Sequence, residues 1–129
     1  MSVHTDSVGN IIGRLAGSGK DTRALLIGSH LDTVRNAGRY DGMLGVVLPL
    51  ICLEALKKRG ESLPYAVEVV GFCDEEGVRF PSTLIGSRAI AGSLDASVLE
   101  ESDNDNITIA QALSKFGACL LYTSDAADE

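Results

Sequence analysis

Histidine and acidic side chains follow two apolar segments of this 129-residue chain, in positions where they could bind metal ions. The first group lies in GSHLDTVRNAGRYDG, which contains His30, Asp32 and Asp41. The second group is the pair Glu75 and Glu76 in GFCDEEGVRF. Imidazole and carboxylate groups are common ligands of divalent ions, and a carboxylate can also act as a base toward water. The residue types therefore predict a metal-dependent hydrolytic site.

Each of these residues also has a simpler interpretation. A single histidine after a strand is more often a hydrogen-bonded structural residue, an aspartate before a helix is often a cap, and consecutive acids usually lie in a solvated turn. Asp32 strengthens the metal interpretation of His30, because an acid two residues away can hold one ring nitrogen and leave the other free. Divalent cations also offset repulsion between crowded carboxylates. The alternative is a structural or peptide-binding α/β domain with its acids in surface turns.

The segments before the two groups have the pattern of buried strands. Residues 24–29 and 65–73 are compact apolar runs. The segment between them, 43–59, has apolar residues at helical intervals and a basic last turn followed by Gly60, although Pro49 predicts a kink or a late start. Strand, helix and strand in this order predict a parallel pair. Because the carboxyl ends of parallel strands meet at one edge, the acidic and histidine residues are expected there.

The rest of the chain completes an α/β pattern. Residues 8–15 are predicted to form a strand, which the loop 16–22 joins to the next strand as a hairpin turn. Residues 82–91 are predicted to form a helix. Thr108 is expected to cap a short last helix over Ile109–Phe116.

The composition limits the partners and the location. A net charge of −7 disfavours binding to nucleic acid or to an anionic membrane surface. No apolar run approaches the roughly 20 residues that span a bilayer, and the first residues have no secretion-signal pattern. The cysteines, Cys52, Cys73 and Cys119, lack metal-type spacing and predict free thiols in a reducing compartment. We therefore expect a cytoplasmic protein that binds neither nucleic acid nor membrane.

The motifs HLDT, YDG and DEEGVRFPSTLIGSRAIAG resemble those of the dinuclear-metal amidohydrolases in the M20 peptidase superfamily. The similar region covers residues 5–117, and the branch with the most similar motifs contains allantoate amidohydrolase and N-carbamoyl-L-amino-acid hydrolase. The resemblance implies part of a three-layer α/β/α catalytic domain with a largely parallel central sheet, without the lid or dimerisation domain of the family. It also implies two further metal ligands, at least one of them histidine, beyond the end of this chain.

The resemblance implies a role for each site residue. His30 and Glu76 each bind one of two divalent ions, zinc or manganese, and Asp41 bridges both. Asp32 orients His30, and Glu75 is the general base. The implied substrate is a small ureido or N-carbamoyl compound, with allantoate favoured; an N-carbamoyl-L-amino acid, or the substrate of another M20-type peptidase, stays open. The parent protein is expected to be a homodimer that acts in purine catabolism.

The last residues, CLLYTSDAADE, share no pattern with the preceding chain. They match one reading frame of a transposon-type sequencing adapter, so we expect a partial catalytic domain over residues 1–118 and a non-native tail over 119–129. Without the distal ligands and the lid, the isolated chain is expected to bind metal weakly and to be inactive. Arg79, Gly86 and Ser87 also fit the pattern of the branch and are expected to be structural or rim residues, with Arg79 paired to a nearby acid.

Overall fold

A computed structural model of the chain describes residues 1–20 and 23–118. In chain order, its elements are β1 (Ser2–Thr5), β2 (Ile11–Leu15), β3 (Ala24–His30), α1 (Met43–Lys58), β4 (Ala66–Phe72), α2 (Ile85–Ile90), a 3-10 helix (Ala96–Glu100) and α3 (Ile109–Phe116). None of the helices in these two ranges is long and apolar enough to cross a membrane. The predicted non-native tail, 119–129, lies outside the described residues, so it stays a prediction.

The four strands form one sheet in the order β1, β2, β4, β3. β3 and β4 are parallel, with α1 between them in the chain, as the order of strand, helix and strand predicts. The other two pairings are antiparallel, so the α/β class is confirmed but the sheet is mixed rather than largely parallel. The predicted hairpin between β2 and β3 is also wrong, because β4 lies between them.

The hairpin of this sheet joins β1 and β2 instead, and β1 was not predicted from the sequence. Asp6 makes the turn: its Oδ1 atom accepts hydrogen bonds from the backbone N–H groups of Val8 (3.0 Å) and Asn10 (2.8 Å). An aspartate that binds the backbone amides following it is a common way to reverse the chain. This local turn brings the first strands together in antiparallel pairing, which the apolar pattern alone does not indicate.

β4 is the central strand of the core, and β3 is not buried as predicted. Val67 and Val69 of β4 pack with Leu53 of α1 in one apolar cluster. In contrast, Leu25 and Leu26 of β3 are 46% and 44% exposed. In the part of the chain that the structure describes, β3 is an edge strand that pairs with β4 on one side, so its apolar side chains are less buried than those of β4.

The helix α1 begins at Met43 and continues through Pro49 to Lys58, so a late start is wrong. Val46, which precedes the proline, packs against the α1–sheet cluster, and this contact supports the first turns of the helix. The predicted end is confirmed: Lys57 and Lys58 lie in the last turn, and Gly60 follows with φ 71°.

The helices after β4 pack against one another at the carboxyl end of that strand. α2 begins at Ile85, later than predicted, because Leu84 has a left-handed backbone conformation with φ 58°. α3 has the predicted bounds, with a reciprocal capping box between Thr108 and Gln111. These elements share an apolar cluster of Phe80, Ile85, Val98, Ile109, Leu113 and Ala118. The described residues thus contain one helix on a sheet face and one cluster at a sheet end, which is part of the expected three-layer arrangement.

Candidate metal centre

His30, Asp41 and Glu76 meet at the carboxyl ends of the parallel strands. His30 is the last residue of β3, Asp41 precedes α1, and Glu76 follows β4. The His30 Nε2 atom lies 3.4 Å from Glu76 Oε1 and 4.0 Å from Asp41 Oδ1. One ligand atom from each of the three residues lies within 4.8 Å of the other two. If these residues lay in unrelated surface turns, their side chains would diverge to separate faces. The structure instead brings them together.

The imidazole ring of His30 is oriented by the backbone of Asp32. The Nδ1 atom lies 2.6 Å from the carbonyl oxygen of Asp32. A carbonyl oxygen can only accept a hydrogen bond, so Nδ1 is the donor. In the neutral ring Nε2 then has the lone pair, on the side where the two carboxylates lie. The expected contact from the Asp32 carboxylate is longer, 4.0 Å from Oδ1 to Nδ1.

The carboxylate of Asp32 has another contact, which the sequence did not indicate. Its Oδ1 and Oδ2 atoms accept hydrogen bonds from the backbone N–H groups of Glu75 (3.2 Å) and Glu76 (2.9 Å). Asp32 therefore acts at both ends of the site. Its carbonyl holds the ring of His30, and its side chain holds the loop that carries the two glutamates.

Gly42 also shapes the site, and sequence analysis did not single it out. Its backbone has φ 67° and ψ −63°, and the Asp41 carbonyl oxygen accepts a hydrogen bond from the Met43 N–H at 2.7 Å. These features define the rare γ-turn with positive φ, which is strained for residues other than glycine. A Cβ atom at this position would lie 2.6 Å from both Nδ1 and the carbonyl oxygen of His30. The Asp-Gly pair before a predicted helix was the available signal.

Glu75 is buried, with 8% of its surface exposed, and its carboxylate points toward α2. Oε1 accepts a hydrogen bond from the Ser87 N–H at 2.7 Å, and Oε2 accepts one from the Ser87 hydroxyl at 2.6 Å. Glu75 is not a member of the three-residue group, although it is adjacent in sequence to Glu76. Arg79, in turn, pairs with an acid as expected, since its Nε donates to Asp103 Oδ2 at 2.9 Å.

Two titratable groups beside the site have raised pKa values. Burial, followed by repulsion from the nearby Asp32 carboxylate, raises the pKa of Asp74 to about 6. Burial and then the neighbouring Asp74 raise the pKa of the Cys73 thiol to about 11. The loop after β4 thus carries closely spaced acids in a partly dehydrated environment, which is the condition under which a bound cation is favourable.

The spacing of the three donors is compatible with the binding of divalent ions. Nitrogen and oxygen ligands lie about 2.0–2.2 Å from zinc, so two donors of one ion are at most about 4.4 Å apart. The measured separations of 3.4 and 4.0 Å from His30 Nε2 meet this limit. Within residues 1–20 and 23–118, no second group of three such donors accompanies this one.

Comparison with known proteins finds a matching family model and relatives that share one reaction class. The model of peptidase family M28 matches residues 10–113. The chain is 45% identical to the allantoate deiminase of Arabidopsis thaliana over 117 residues, which are 89% of this chain and 22% of that protein. It is 43% identical to the N-carbamoyl-L-amino acid amidohydrolase of Geobacillus stearothermophilus, over 91% of this chain and 29% of that protein. The chain thus spans about a quarter of these relatives.

The fold has solved counterparts of the same kind. The crystal structure of a hydantoinase/carbamoylase family amidase from Burkholderia ambifaria superposes with a TM-score of 0.84 at 36% identity, covering 92% of this chain and 29% of that one. The motifs predict the M20 superfamily, whereas the matching family model is that of M28; the predicted branch is confirmed by the names of the relatives. The chain belongs to peptidase family M28 and is related to allantoate deiminases and N-carbamoyl-L-amino-acid amidohydrolases.

Proposed function

We propose that this chain contributes the first half of the active site of a metal-dependent amidohydrolase that cleaves the C–N bond of a ureido or carbamoyl group. The observation that carries the proposal is the meeting of His30, Asp41 and Glu76 within 4.8 Å at the carboxyl edge of the parallel strands. The relatives support the reaction class, because enzymes named for allantoate and for N-carbamoyl amino acids share more than two fifths of the aligned residues.

The proposed cofactors are two divalent ions, zinc or manganese. His30 would hold one ion, Glu76 the other, and Asp41 both, with the remaining ligands supplied by residues outside this chain. When bound, such ions polarise a carbonyl group and increase the acidity of water. The donor set supports this assignment, because imidazole and carboxylate oxygens suit zinc and carboxylates suit manganese.

The side chains have distinct proposed tasks in the reaction. Glu75 would take a proton from the attacking water at a carboxylate oxygen and pass it to the departing nitrogen. The carbonyl oxygen of Asp32 would keep the proton of His30 on Nδ1, which in the neutral ring leaves the Nε2 lone pair for a metal ion. The burial of Glu75 supports its role, because bulk water then competes less for the carboxylate.

The proposed substrate is allantoate, a small ureido compound, and the proposed setting is purine catabolism in the cytoplasm. Allantoate is favoured by the motif VRNAGRYDG and by the allantoate deiminases among the relatives. An N-carbamoyl-L-amino acid is the second candidate, which the bacterial amidohydrolase relatives favour. A homodimer of the parent protein, and no nucleic-acid or membrane partner, complete the proposal.

Residues 1–118 are proposed to be native sequence, and residues 119–129 a tail from a sequencing adapter. On this proposal the isolated chain binds metal weakly and lacks turnover, because the distal ligands are missing. Resequencing the locus tests the tail. A native gene that continues through CLLYTSDAADE would refute it.

A metal titration with two substrate assays tests the function. We expect Zn²⁺ or Mn²⁺ to bind the chain and Glu76→Gln to weaken binding at least tenfold, because one of three donors is lost. Glu54→Gln is the matched control, since Glu54 is exposed on α1 and its recorded ion pair among the described residues is with Lys58. Unchanged binding in Glu76→Gln would contradict the site.

Turnover assays test the proposed substrate and the expected inactivity of the isolated chain. Ammonia release from allantoate by the full parent protein supports the favoured substrate, and activity only on N-carbamoyl amino acids reverses the preference. Tight binding of two ions with turnover by the isolated chain refutes the expectation that it is inactive.

A further inference from the structure

Ser87 holds both oxygens of the Glu75 carboxylate. Its backbone N–H donates to Oε1 at 2.7 Å, and its hydroxyl donates to Oε2 at 2.6 Å. Two donors from one residue, one to each oxygen, fix the plane of the carboxylate as well as its position. In the described parts of the chain, no other residue is recorded as donating to this carboxylate.

Ser87 is itself held in place by the backbone. Consecutive N–H groups of Leu84, Ile85 and Gly86 donate to the carbonyl oxygens of Glu75, Asp74 and Cys73 at 3.0, 3.2 and 2.9 Å. The residues before Ser87 are therefore bonded directly to the loop that carries Glu75. The position of the serine relative to that loop does not depend on a flexible side chain.

Gly86 and the fully buried Asn10 hold the segment before Ser87 close to the end of β4. The Asn10 Nδ2 donates to the Gly86 carbonyl oxygen at 3.0 Å, and Asn10 Oδ1 accepts from the Cys73 N–H at 2.9 Å. A Cβ atom at position 86 would lie 2.1 Å from Asn10 Oδ1 and 2.6 Å from the Cys73 nitrogen. Only glycine fits there, so the segment Gly86–Ser87 is pressed against the end of β4.

A carboxylate that transfers protons benefits from such support. Its efficiency depends on the orientation of a given oxygen toward the reacting water, and a small misplacement lowers the rate strongly. A glutamate has three rotatable side-chain bonds, so a free carboxylate would sample several positions. The hydroxyl of Ser87 restricts this freedom, while the surrounding backbone keeps the hydroxyl in place.

We propose that Ser87 is a positioning residue for Glu75, whose two donors fix the carboxylate in the orientation needed for proton transfer. The catalytic part of this inference rests on the proposed function of Glu75 as the general base. The clamp itself concerns only this chain, and it can be measured without metal or substrate.

Carboxylate footprinting of the metal-free 129-residue chain tests the clamp. The chain is treated with a water-soluble carbodiimide and glycine ethyl ester, and labelling of each acidic residue is followed by peptide mass spectrometry. Ser87→Ala removes the hydroxyl donor but keeps the N–H donor, and we expect labelling of Glu75 to rise on the order of tenfold. Ser87→Thr keeps a hydroxyl and is expected to restore most of the protection.

Matched measurements separate positioning from a general loss of structure. Ser93→Ala removes a serine that follows α2, and within the described residues the recorded bond of its hydroxyl goes to the Arg88 carbonyl oxygen at 3.3 Å. This substitution should leave Glu75 protected. Labelling of Glu68 and Glu101 should not change in Ser87→Ala. A uniform rise at all acids would overturn the proposal in favour of a structural role, and unchanged labelling of Glu75 would overturn it as well.

Turnover of the metal-loaded parent protein distinguishes this inference from the proposed function. A lower kcat with little change in KM for Ser87→Ala, restored in Ser87→Thr, supports a positioning role. A parent protein that binds metals but hydrolyses neither substrate refutes the proposed function, while the footprinting result still decides the clamp.

Discussion

The Gly42→Ala substitution tests whether the γ-turn before α1 sets the geometry of the metal centre. Gly42 has φ 67° and ψ −63°, between Asp41 and the first residue of α1. An added Cβ atom would lie 2.6 Å from the carbonyl oxygen of His30, 2.6 Å from its Nδ1 atom and 2.8 Å from Cε1. Two of these atoms belong to the ring of a proposed ligand, so the substitution acts directly on that ligand.

Two effects set the expected loss of stability and of metal affinity in Gly42→Ala. The positive-φ γ-turn conformation costs a residue with a Cβ atom about 1–3 kcal/mol. In addition, contacts of 2.6 Å must lengthen to about 3.4 Å, which displaces the ring or the turn by about 0.8 Å. Metal–ligand distances tolerate only about 0.2 Å. We therefore expect Gly42→Ala to lower the free energy of unfolding by about 2 kcal/mol or more and to weaken metal binding about 10- to 100-fold.

Gly60→Ala is the matched control, because Gly60 also has positive φ, 71°, but a Cβ atom there would have no heavy atom of a described residue other than its chain neighbours within 4 Å. Co²⁺ titration followed by visible absorption measures the affinity, and urea unfolding measures the stability of the metal-free chain. Gly60→Ala should lose stability and keep its Co²⁺ affinity. If Gly42→Ala binds Co²⁺ within twofold of the unsubstituted chain, the reasoning that links the turn, the His30 ring and the metal is refuted.

Further predictions concern three residues outside the metal-binding group, Cys73, Asn10 and Thr108. The pKa of Cys73 is raised from 9.0 to about 11, so iodoacetamide at pH 8 should alkylate the exposed Cys52 at least tenfold faster, as peptide mapping can show. Because the unfolded chain releases the Cys73 proton first, stability in urea should fall as the pH rises from 9 toward 11. Asn10→Ala leaves the Cys73 N–H and the Gly86 carbonyl group without their partner, and should cost about 2–4 kcal/mol in urea unfolding. Thr108→Ala removes the capping box of α3 and should cost about 1 kcal/mol in the same assay.

For each of these three residues, one experimental result would contradict the prediction. Equal alkylation rates for Cys52 and Cys73 would show that the thiol of Cys73 is not dehydrated. A loss below about 1 kcal/mol in Asn10→Ala would show that water replaces the lost contacts. A Thr108→Ala chain as stable as the original would show that α3 depends on its apolar contacts alone.

The sequence predicts the parts of the fold that local patterns determine. The apolar runs of β3 and β4, the helical spacing of α1 and the capping residues of α3 are all visible in the printed chain. Order and handedness rules then make β3 and β4 parallel and bring His30 and Glu76 to one edge. The proximity of these two residues could therefore be predicted without knowing any atomic contact.

Long-range pairing determines what the sequence did not predict. The position of β4 between β2 and β3 depends on which edges meet, and no local pattern records it. The exposure of Leu25 and Leu26 follows from that strand order, because it leaves β3 at an edge. The orientation of Glu75 likewise depends on Ser87, a residue placed by backbone contacts of α2.

The polar contacts around the site explain how its geometry is maintained by the protein itself. The carbonyl of Asp32 holds the ring of His30, while its carboxylate holds the backbone of Glu75 and Glu76. One residue therefore links the ends of β3 and β4 at the level of side chains, in addition to the hydrogen bonds of the sheet. Replacing Asp32 with asparagine leaves the carbonyl contact but changes one carboxylate oxygen into a donor facing an N–H group. The ring of His30 should then stay in place while the glutamate loop shifts, so the two functions of Asp32 can be separated by a single substitution.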